Sequence, residues 1–303
     1  MNILVTGAWR CTETQLERLR AMGHSVAFQQ QEADPLILPP HEVDAVICNN
    51  LFATHPIEEF PRLRYIQLTS AGYDRVPIAF IRERGIVLHN AATAYCMPMA
   101  EFAVSGVLCL YKKWRDFWAQ QACRRWMKQR DLIELSGKRV CIVGCGHLGQ
   151  ACARLFGAFG CFVVGVNRTV KEMAHYDHVV PLSGLMSEVA EADIVISAIA
   201  VAPETRHLFS HDVFLSMKLG SVFVNLSRGA VVDTDALVAA LKNTIAGAVL
   251  DVFETEPLPE EHELWTFSHV LITPHNSYVG DGNEKRLEEL IFNNLNQIHK
   301  NSL

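Results

Sequence analysis

Short apolar runs alternate with amphipathic stretches along almost the whole chain, and this alternation constrains the fold more than any other feature of the sequence. Runs of strand length recur from Ile3–Thr6 to Val270–Thr273. Helical patterns lie between many of them, at Glu13–Met22, Gln150–Phe159, Thr234–Lys242 and Lys285–His299. Strands that are separated by helices are typical of βαβ units, whose strands pair in parallel. The sequence therefore predicts an α/β protein built from doubly wound parallel sheets.

Length and charge narrow the class of protein. The chain has 303 residues, and its net charge is −6 at pH 7. A chain of this length predicts two domains, and the mild negative charge argues against a nucleic-acid-binding surface. The most apolar run, Ala103–Tyr111, is shorter than the roughly 20 residues of a membrane span, and the amino terminus has no signal-peptide pattern. We expect a cytoplasmic protein with neither a nucleic acid nor a membrane as partner.

The nine cysteines do not form a recognisable framework. They are scattered through apolar segments, without a CxxC pair and without a Cys/His cluster at metal-ligand spacing. This distribution is typical of reduced cysteines in a reducing compartment. We expect no disulfide and no zinc site.

A glycine-rich motif follows the predicted strand Arg139–Val143 and opens a helix. It reads Gly144-Cys-Gly-His-Leu-Gly149. The first glycine permits a tight turn, the second lets a pyrophosphate approach the backbone, and the third allows the helix to pack against the strand. The motif predicts a dinucleotide site that includes Gly144, Gly146, His147, Leu148 and Gly149. Because the motif begins at residue 144, a separate domain must precede the nucleotide domain.

The end of the next strand bears on the choice of cofactor. Enzymes that use NAD commonly place Asp or Glu there to bind the ribose hydroxyls. This chain has Asn167, Arg168 and Thr169 instead. A neutral side chain does not repel a 2′-phosphate, and a neighbouring guanidinium can pair with it. The sequence therefore favours NADP, with NAD still possible.

Three polar side chains follow three later strands or their short connections. They are Arg228 in Asn225-Leu-Ser-Arg-Gly229, Glu256 before Pro257, and His275 after Pro274. Each could be an ordinary loop residue. In an open parallel sheet, however, the carboxyl ends of the strands line one crevice, so the three side chains can converge. Together, beside a dinucleotide motif, they predict a catalytic group.

With these motifs, the chain resembles the D-isomer-specific 2-hydroxyacid dehydrogenase family over nearly its whole length. The resemblance also rests on Thr69-Ser-Ala-Gly-Tyr-Asp74 and Asp251-Val-Phe-Glu-Thr-Glu-Pro-Leu-Pro259. It implies a flavodoxin-like substrate domain, residues 1–98 and 277–303, with a Rossmann domain, residues 99–276, inserted in it and an active site in the cleft. It also implies that the crossing helices begin near Met99 and Tyr278, and that a homodimer forms partly through the tryptophan-rich segment 114–128.

The resemblance further implies the role of each site residue. His275 would be the acid in reduction and the base in oxidation, Glu256 would orient its imidazole, and Arg228 would hold the substrate carboxylate. Glu256 is preferred to Glu254 because the family places its glutamate directly before the proline. The remaining assignments are the backbone amides of Ala71 and Gly72 for the substrate carboxylate, Asp251 for the nicotinamide carboxamide, and Ile199, Ala200, Leu226 and Ser227 for further cofactor contacts.

The substrate is narrowed by an absence near residues 45–51. Phosphoglycerate dehydrogenases have an arginine at this place that binds the substrate phosphate, and this chain has no arginine there. A small 2-keto acid such as glyoxylate, hydroxypyruvate or pyruvate is therefore expected as substrate. The expected use of NADP favours the reduction of glyoxylate or hydroxypyruvate. Asn49, Asn50 and Leu51 could touch the substrate or form a structural loop. A D-lactate dehydrogenase, a phosphite dehydrogenase and a dinucleotide-sensing corepressor remain alternatives.

Overall fold

The structure is a computed structural model that describes residues 1–301, with side chains described through residue 298. The chain divides into two compact units. Unit 1 comprises Met1–Tyr95 and Gly280–Leu303, and unit 2 comprises Cys96–Val279. The ranges expected from the sequence were 1–98 with 277–303, and 99–276. Residues 302 and 303 of that expected terminal segment lie outside the described residues.

The strands form one parallel sheet in each unit, and the α/β prediction is confirmed. Unit 1 has a five-stranded sheet in the order β2-β1-β3-β4-β5, and unit 2 has a seven-stranded sheet in the order β12-β11-β10-β9-β6-β7-β8. Every strand pair in both sheets is parallel. The strands are β1 (Asn2–Thr6), β2 (Ser25–Gln29), β3 (Ala45–Cys48), β4 (Tyr65–Leu68), β5 (Val87–His89), β6 (Arg139–Val143), β7 (Phe162–Asn167), β8 (His178–Pro181), β9 (Ile194–Ser197), β10 (Val222–Asn225), β11 (Gly247–Leu250) and β12 (Val270–Ile272).

The helices connect these strands. They are α1 (Glu13–Ala21), α2 (Ile78–Glu83), α3 (Ala92–Tyr111), α4 (Trp114–Ala122), α5 (His147–Ala158), α6 (Leu185–Glu191), α7 (His211–Ser216), α8 (Thr234–Asn243) and α9 (Asn283–Asn301). The helices expected to begin near Met99 and Tyr278 begin at Ala92 and Asn283 instead. The boundary between Tyr95 and Cys96 therefore lies inside α3, whereas the second boundary lies in the loop before α9.

Apolar side chains cover both faces of each sheet, as parallel sheets require. In unit 2, one core packs the side chains of α3 and α5 against the sheet, and another packs those of α6, α7 and α8. In unit 1, one core includes α1 and α9, and the other includes α2 and the segment that follows β3. The central strands β3, β4, β9, β10 and β11 are buried at every position, which explains why most of their residues are apolar.

Helix α3 corrects one step of the sequence argument. Its 20 residues are long and apolar enough to cross a membrane, by length and composition alone, so the reason given for excluding a span at Ala103–Tyr111 was wrong. The structure places this helix in a core instead. Ala103 and Val107 are fully buried, and a Cβ added to Gly106 would lie 2.6 Å from Cγ1 of Val249 in β11. This close packing explains the apolar composition of the helix.

Candidate active site

The glycine motif lies at the switch point of the sheet of unit 2. Strand β6 pairs with β7 on one side and β9 on the other, and a ligand crevice forms where the strand order reverses. Gly144 follows β6 with φ +100°, and a Cβ there would lie 2.6 Å from the carbonyl oxygen of Ala198. A Cβ on Gly149 would lie 2.0 Å from the carbonyl oxygen of Gly144. Both positions therefore require glycine.

The first turn of α5 suits a dinucleotide phosphate. Gly146 is the N-cap residue, no side chain caps the helix, and a Cβ added to Gly146 would meet nothing within 4 Å. The first amides of a helix have no acceptor within the helix, and they favour an anion. His147 and Leu148 are the first two residues of the helix, and the His147 side chain is exposed. The residues present therefore fit the pyrophosphate of a nicotinamide dinucleotide.

The residues that follow β7 are exposed. The side-chain amide of Asn167 donates to the carbonyl oxygen of Thr169 at 3.1 Å, which folds the turn on itself. The Arg168 side chain is 90% exposed, and its closest charged partner is Glu204 at 3.9 Å. Such a surface pair contributes little to stability. The guanidinium is therefore able to leave it for a stronger anion.

The other predicted cofactor residues lie at the carboxyl ends of β9 and β10. Ile199 is half-buried and Ala200 is exposed. The Ser227 hydroxyl lies 2.9 Å from that of Ser197. The side chain of Leu226 is 1% exposed and belongs to the core of unit 2. Leu226 therefore offers a ligand only its backbone.

His275 and Glu256 form a hydrogen-bonded pair. The Nδ1 atom of His275 lies 2.8 Å from Oε2 of Glu256, and both side chains are partly exposed. The other carboxylate oxygen of Glu256 accepts the amide of Phe253 at 3.0 Å. An ionised carboxylate only accepts hydrogen bonds, so Nδ1 carries the hydrogen. The pair thus directs the second ring nitrogen, Nε2, away from Glu256.

Asp251 organises the turn that carries His275. Its fully buried carboxylate accepts the hydroxyl of Thr273 at 2.6 Å and the amides of Asn276 and Ser277 at 2.7 and 2.9 Å. Its carbonyl oxygen accepts the amide of His275 at 2.8 Å. His275 has φ 51°, a left-handed conformation that is uncommon for residues other than glycine. Asp251 holds the histidine in this conformation, while its contact with a nicotinamide carboxamide stays a prediction.

The loop that carries Arg228 lies against the loop that carries Glu256. A Cβ on Gly229 would lie 1.9 Å from the carbonyl carbon of Phe253, so only glycine permits this approach. Asn225 shapes the loop, because its side-chain amide donates to the carbonyl oxygen of Arg228 at 3.1 Å and its Oδ1 accepts the amide of Ser227 at 3.2 Å. The Arg228 guanidinium donates to the carbonyl oxygen of Ser227 at 2.8 Å.

Glu254 belongs to a different group of side chains. It accepts hydrogen bonds from His207 at 2.5 Å and from the Thr234 hydroxyl at 2.6 Å. Burial alone would raise the pKa of Glu254, but the hydrogen bonds from Thr234 and His207 bring this pKa below its usual value of 4.5. Of the two glutamates in this loop, Glu256 contacts the site histidine and Glu254 does not.

In unit 1, Ala71 and Gly72 lie in the loop that follows β4 and are half-buried. The carbonyl oxygen of Ser70 accepts the amide of Ala91 at 2.8 Å, and that of Gly72 accepts the Ser70 hydroxyl at 3.3 Å. Within residues 1–301, the amides of Ser70, Ala71 and Gly72 have no acceptor. Neighbouring amides without acceptors form an anion-binding concavity.

The loop after β3 is tied down by a residue that the sequence analysis did not single out. The carboxylate of Glu32 accepts the Thr6 hydroxyl at 2.8 Å and the amides of Asn49 and Asn50 at 2.6 and 2.7 Å. Leu51 is fully buried in unit 1. These contacts give residues 49–51 a structural role. Glu32 follows β2 without any recognisable motif, so only the tertiary structure could reveal its part.

The chain is similar in sequence to known proteins. Residues 104–277 match the family model for "D-isomer specific 2-hydroxyacid dehydrogenase, NAD binding domain". The chain belongs to this family. Over 244 residues, this dehydrogenase is 33% identical to a glyoxylate reductase of Thermococcus gammatolerans, and the match covers 78% of this chain and 73% of the relative. The family prediction and the prediction of an NAD(P)-dependent 2-hydroxyacid dehydrogenase are confirmed.

Solved structures agree with this membership. A D-isomer specific 2-hydroxyacid dehydrogenase from Xanthobacter autotrophicus, in complex with NADPH and MES, is 28% identical with a TM-score of 0.80, over 99% of this chain and 95% of that one. An NADPH-dependent glyoxylate/hydroxypyruvate reductase from Sinorhizobium meliloti is 27% identical with a TM-score of 0.77, over 98% and 93% of the two chains. The dehydrogenase therefore shares its fold with enzymes of this family.

Proposed function

We propose that this dehydrogenase reduces a small 2-keto acid of the glyoxylate or hydroxypyruvate type to the D-2-hydroxy acid, with NADPH as the favoured cofactor. The observation that carries the proposal is the pair of His275 and Glu256, whose Nδ1 and Oε2 atoms lie 2.8 Å apart in unit 2. Relatives named glyoxylate reductase and NADPH-dependent glyoxylate/hydroxypyruvate reductase support the substrate class.

His275 exchanges the proton in this mechanism. Because Glu256 accepts from Nδ1, the Nε2 atom is the one that donates a proton to the keto oxygen in reduction and takes it back in oxidation. Glu256 fixes the orientation of the ring through its hydrogen bond with Nδ1 at 2.8 Å. When bound, the reduced dinucleotide supplies the hydride. Asp251 keeps the turn around His275 rigid, which holds the imidazole in one orientation.

Anion-binding groups hold the substrate carboxylate. Arg228 supplies a guanidinium, which pairs with a carboxylate in a planar, two-pronged arrangement. The amides of Ala71 and Gly72 add neutral donors, and they have no acceptor within the described residues. Binding the carboxylate polarises the adjacent carbonyl and prepares it for reduction.

The preference for NADPH rests on the end of β7. Asn167 is uncharged there, and the Arg168 guanidinium is exposed and lies 3.9 Å from the carboxylate of Glu204. An exposed arginine beside an uncharged residue favours a 2′-phosphate over a 2′-hydroxyl. Thr169 follows directly and can add a hydroxyl donor.

A second copy of the chain is the proposed partner, bound through the tryptophan-rich segment 114–128. Trp114, Trp118, Trp126 and Met127 are exposed, with Trp126 at 97%, and an open groove of about 780 Å³ lies along this segment. Exposed aromatic groups are typical of subunit contacts. We expect W118E with W126E to convert a dimer into a monomer in analytical ultracentrifugation. The control I37E alters an exposed apolar residue of unit 1, outside this segment, and should leave the dimer intact. A monomeric wild type would contradict the proposal.

The cytoplasm is the proposed location. All nine cysteines are free, and six of them are buried. Thiols in this state suit a reducing compartment. Antibody detection in fractionated cells of the source organism tests this, and recovery in an extracytoplasmic fraction would contradict it.

Turnover with a panel of acids tests the function. The protein is incubated with NADPH or NADH and with glyoxylate, hydroxypyruvate, pyruvate or phosphite, and the dinucleotide absorbance is followed. We expect the highest kcat/KM with NADPH and glyoxylate or hydroxypyruvate. H275A should lose about two to four orders of magnitude in kcat and still bind NADPH. A preference for pyruvate or phosphite would overturn the substrate class, and tight NADPH binding without turnover would favour a sensor.

A further inference from the structure

The loop that follows β4 in unit 1 has two further contacts, and both involve its carbonyl groups. The hydroxyl of Tyr95 donates to the carbonyl oxygen of Thr69 at 2.5 Å. The side-chain amide of Asn90 donates to the carbonyl oxygen of Ala71 at 2.6 Å. Asn90 follows β5, and Tyr95 lies in the first turns of α3. Two neighbouring elements therefore supply the donors that hold this loop.

Fixing a carbonyl also fixes the amide that follows it. In a trans peptide the C=O and the next N–H lie in one plane and point in opposite directions. The contact at the carbonyl of Thr69 therefore orients the amide of Ser70, and the contact at the carbonyl of Ala71 orients the amide of Gly72. Both amides are turned away from the side chains of Tyr95 and Asn90, and within the described residues both have no acceptor.

We propose that Asn90 and Tyr95 are positioning residues, which turn the amides of Gly72 and Ser70 toward the substrate carboxylate and so add Ser70 to the carboxylate site. This inference rests on the proposed function, because it assigns the loop to the carboxylate of a 2-keto acid. The two side chains act through the peptide planes and do not touch the substrate.

A structural role of Asn90 predicts a different outcome. Its Oδ1 atom accepts the amide of Ala92 at 3.3 Å, at the start of α3. If Asn90 serves only this helix end, N90D should be harmless, because Asp and Asn cap helices about equally well. If Asn90 positions the loop, N90D loses the donor to Ala71 and places a negative charge beside an anion site. N90D therefore separates the two roles.

The experiment measures KM for glyoxylate, KM for NADPH, kcat, and the inhibition constant of oxalate, a dicarboxylate without a reducible carbonyl. The variants are N90A, N90D and Y95F. The control is N2A, because the side-chain amide of Asn2 also donates to a backbone carbonyl, that of Glu42, at 3.0 Å. Asn2 begins β1 and so lies at the amino-terminal ends of the parallel strands, whereas the loop after β4 lies at their carboxyl ends. Circular dichroism melting checks that each variant is folded.

Loss of one neutral hydrogen bond predicts a rise of about threefold to tenfold in the KM for glyoxylate and in the oxalate inhibition constant for N90A and Y95F. N90D should raise both further, while KM for NADPH stays within about twofold and N2A resembles wild type. Values for N90A, N90D and Y95F within about twofold of wild type would overturn the inference while leaving the proposed function standing. A wild-type protein that reduces no 2-keto acid would overturn the proposed function itself. If N90D does not fold, N90A and Y95F decide.

Discussion

Replacing Asp251 by asparagine should destabilise unit 2 strongly, although the two side chains have the same shape. The carboxylate is fully buried and accepts three hydrogen bonds, from Thr273, Asn276 and Ser277. An asparagine offers only one acceptor oxygen, so its NH₂ group must face at least one of these donors. One hydrogen bond to a charged group is then lost, at about 1.5–3 kcal/mol, and a buried donor is left without an acceptor, at about 1–3 kcal/mol.

The two effects together predict a loss of about 4 kcal/mol. For a unit of the size of Cys96–Val279, a loss of 1 kcal/mol lowers Tm by about 2–4 °C. The transition of unit 2 in scanning calorimetry should therefore fall by about 8–16 °C in D251N. Because the same carboxylate holds the turn of His275, kcat should also fall, by about 100-fold.

A suitable control is D233N. Asp233 caps α8 by accepting the amide of Ala236 at 3.1 Å, and asparagine caps helices about as well as aspartate does. D233N should therefore change the free energy of unfolding by less than about 0.5 kcal/mol. A decrease in Tm below about 2 °C for D251N would refute the reasoning, since it would mean that the three hydrogen bonds contribute little to stability. An unchanged kcat would refute the link between Asp251 and His275.

Three further predictions concern the cofactor motif and Glu254. G149A should abolish NADPH binding, measured by fluorescence titration, because its Cβ would lie 2.0 Å from the carbonyl oxygen of Gly144. The control G157A lies in the same helix, where a Cβ meets nothing within 4 Å, and it should stabilise the protein by about 0.5–1 kcal/mol. Equal effects of the two variants on NADPH binding would contradict this prediction. R168A should raise KM for NADPH about tenfold and leave KM for NADH unchanged, and an equal rise for both would remove Arg168 from the 2′-phosphate site. The pKa of Glu254 is lowered in the folded protein, so the ionised Glu254 stabilises the fold above the ordinary pKa of 4.5, and this stabilisation is lost as the pH falls below 4.5. E254Q should therefore make the free energy of urea unfolding depend less on pH in the acid range. An unchanged pH dependence would contradict this prediction.

The sequence by itself determined the fold class and the elements that carry the site. Strands of parallel sheets are buried on both faces, so their apolar runs stand out, and the strand β6, the glycine motif and helix α5 follow one another in the sequence as they do in the structure. Arg228, Glu256 and His275 could be named because each follows a strand, and the parallel sheet gathers strand ends at one edge. Strand β8, which lies at the edge of its sheet and is only partly buried, has only two consecutive apolar residues, Val179 and Val180, and so gives a weak signal in the sequence.

Only the tertiary structure decided which side chains meet. Asp251 and His275 are 24 positions apart in numbering, yet the aspartate shapes the turn of the histidine, and Glu32 reaches from the end of β2 to the loop after β3. Hydrogen bonds of this kind depend on distances of a few tenths of an ångström between elements that are distant in sequence, and periodicity contains no information about them. The family resemblance favoured Glu256 over Glu254, but only the structure shows what each carboxylate contacts: Glu256 meets His275, and Glu254 meets His207 and Thr234. The sequence therefore identifies the polar side chains of the candidate site, whereas the packing of the folded chain determines which of them form hydrogen bonds with one another.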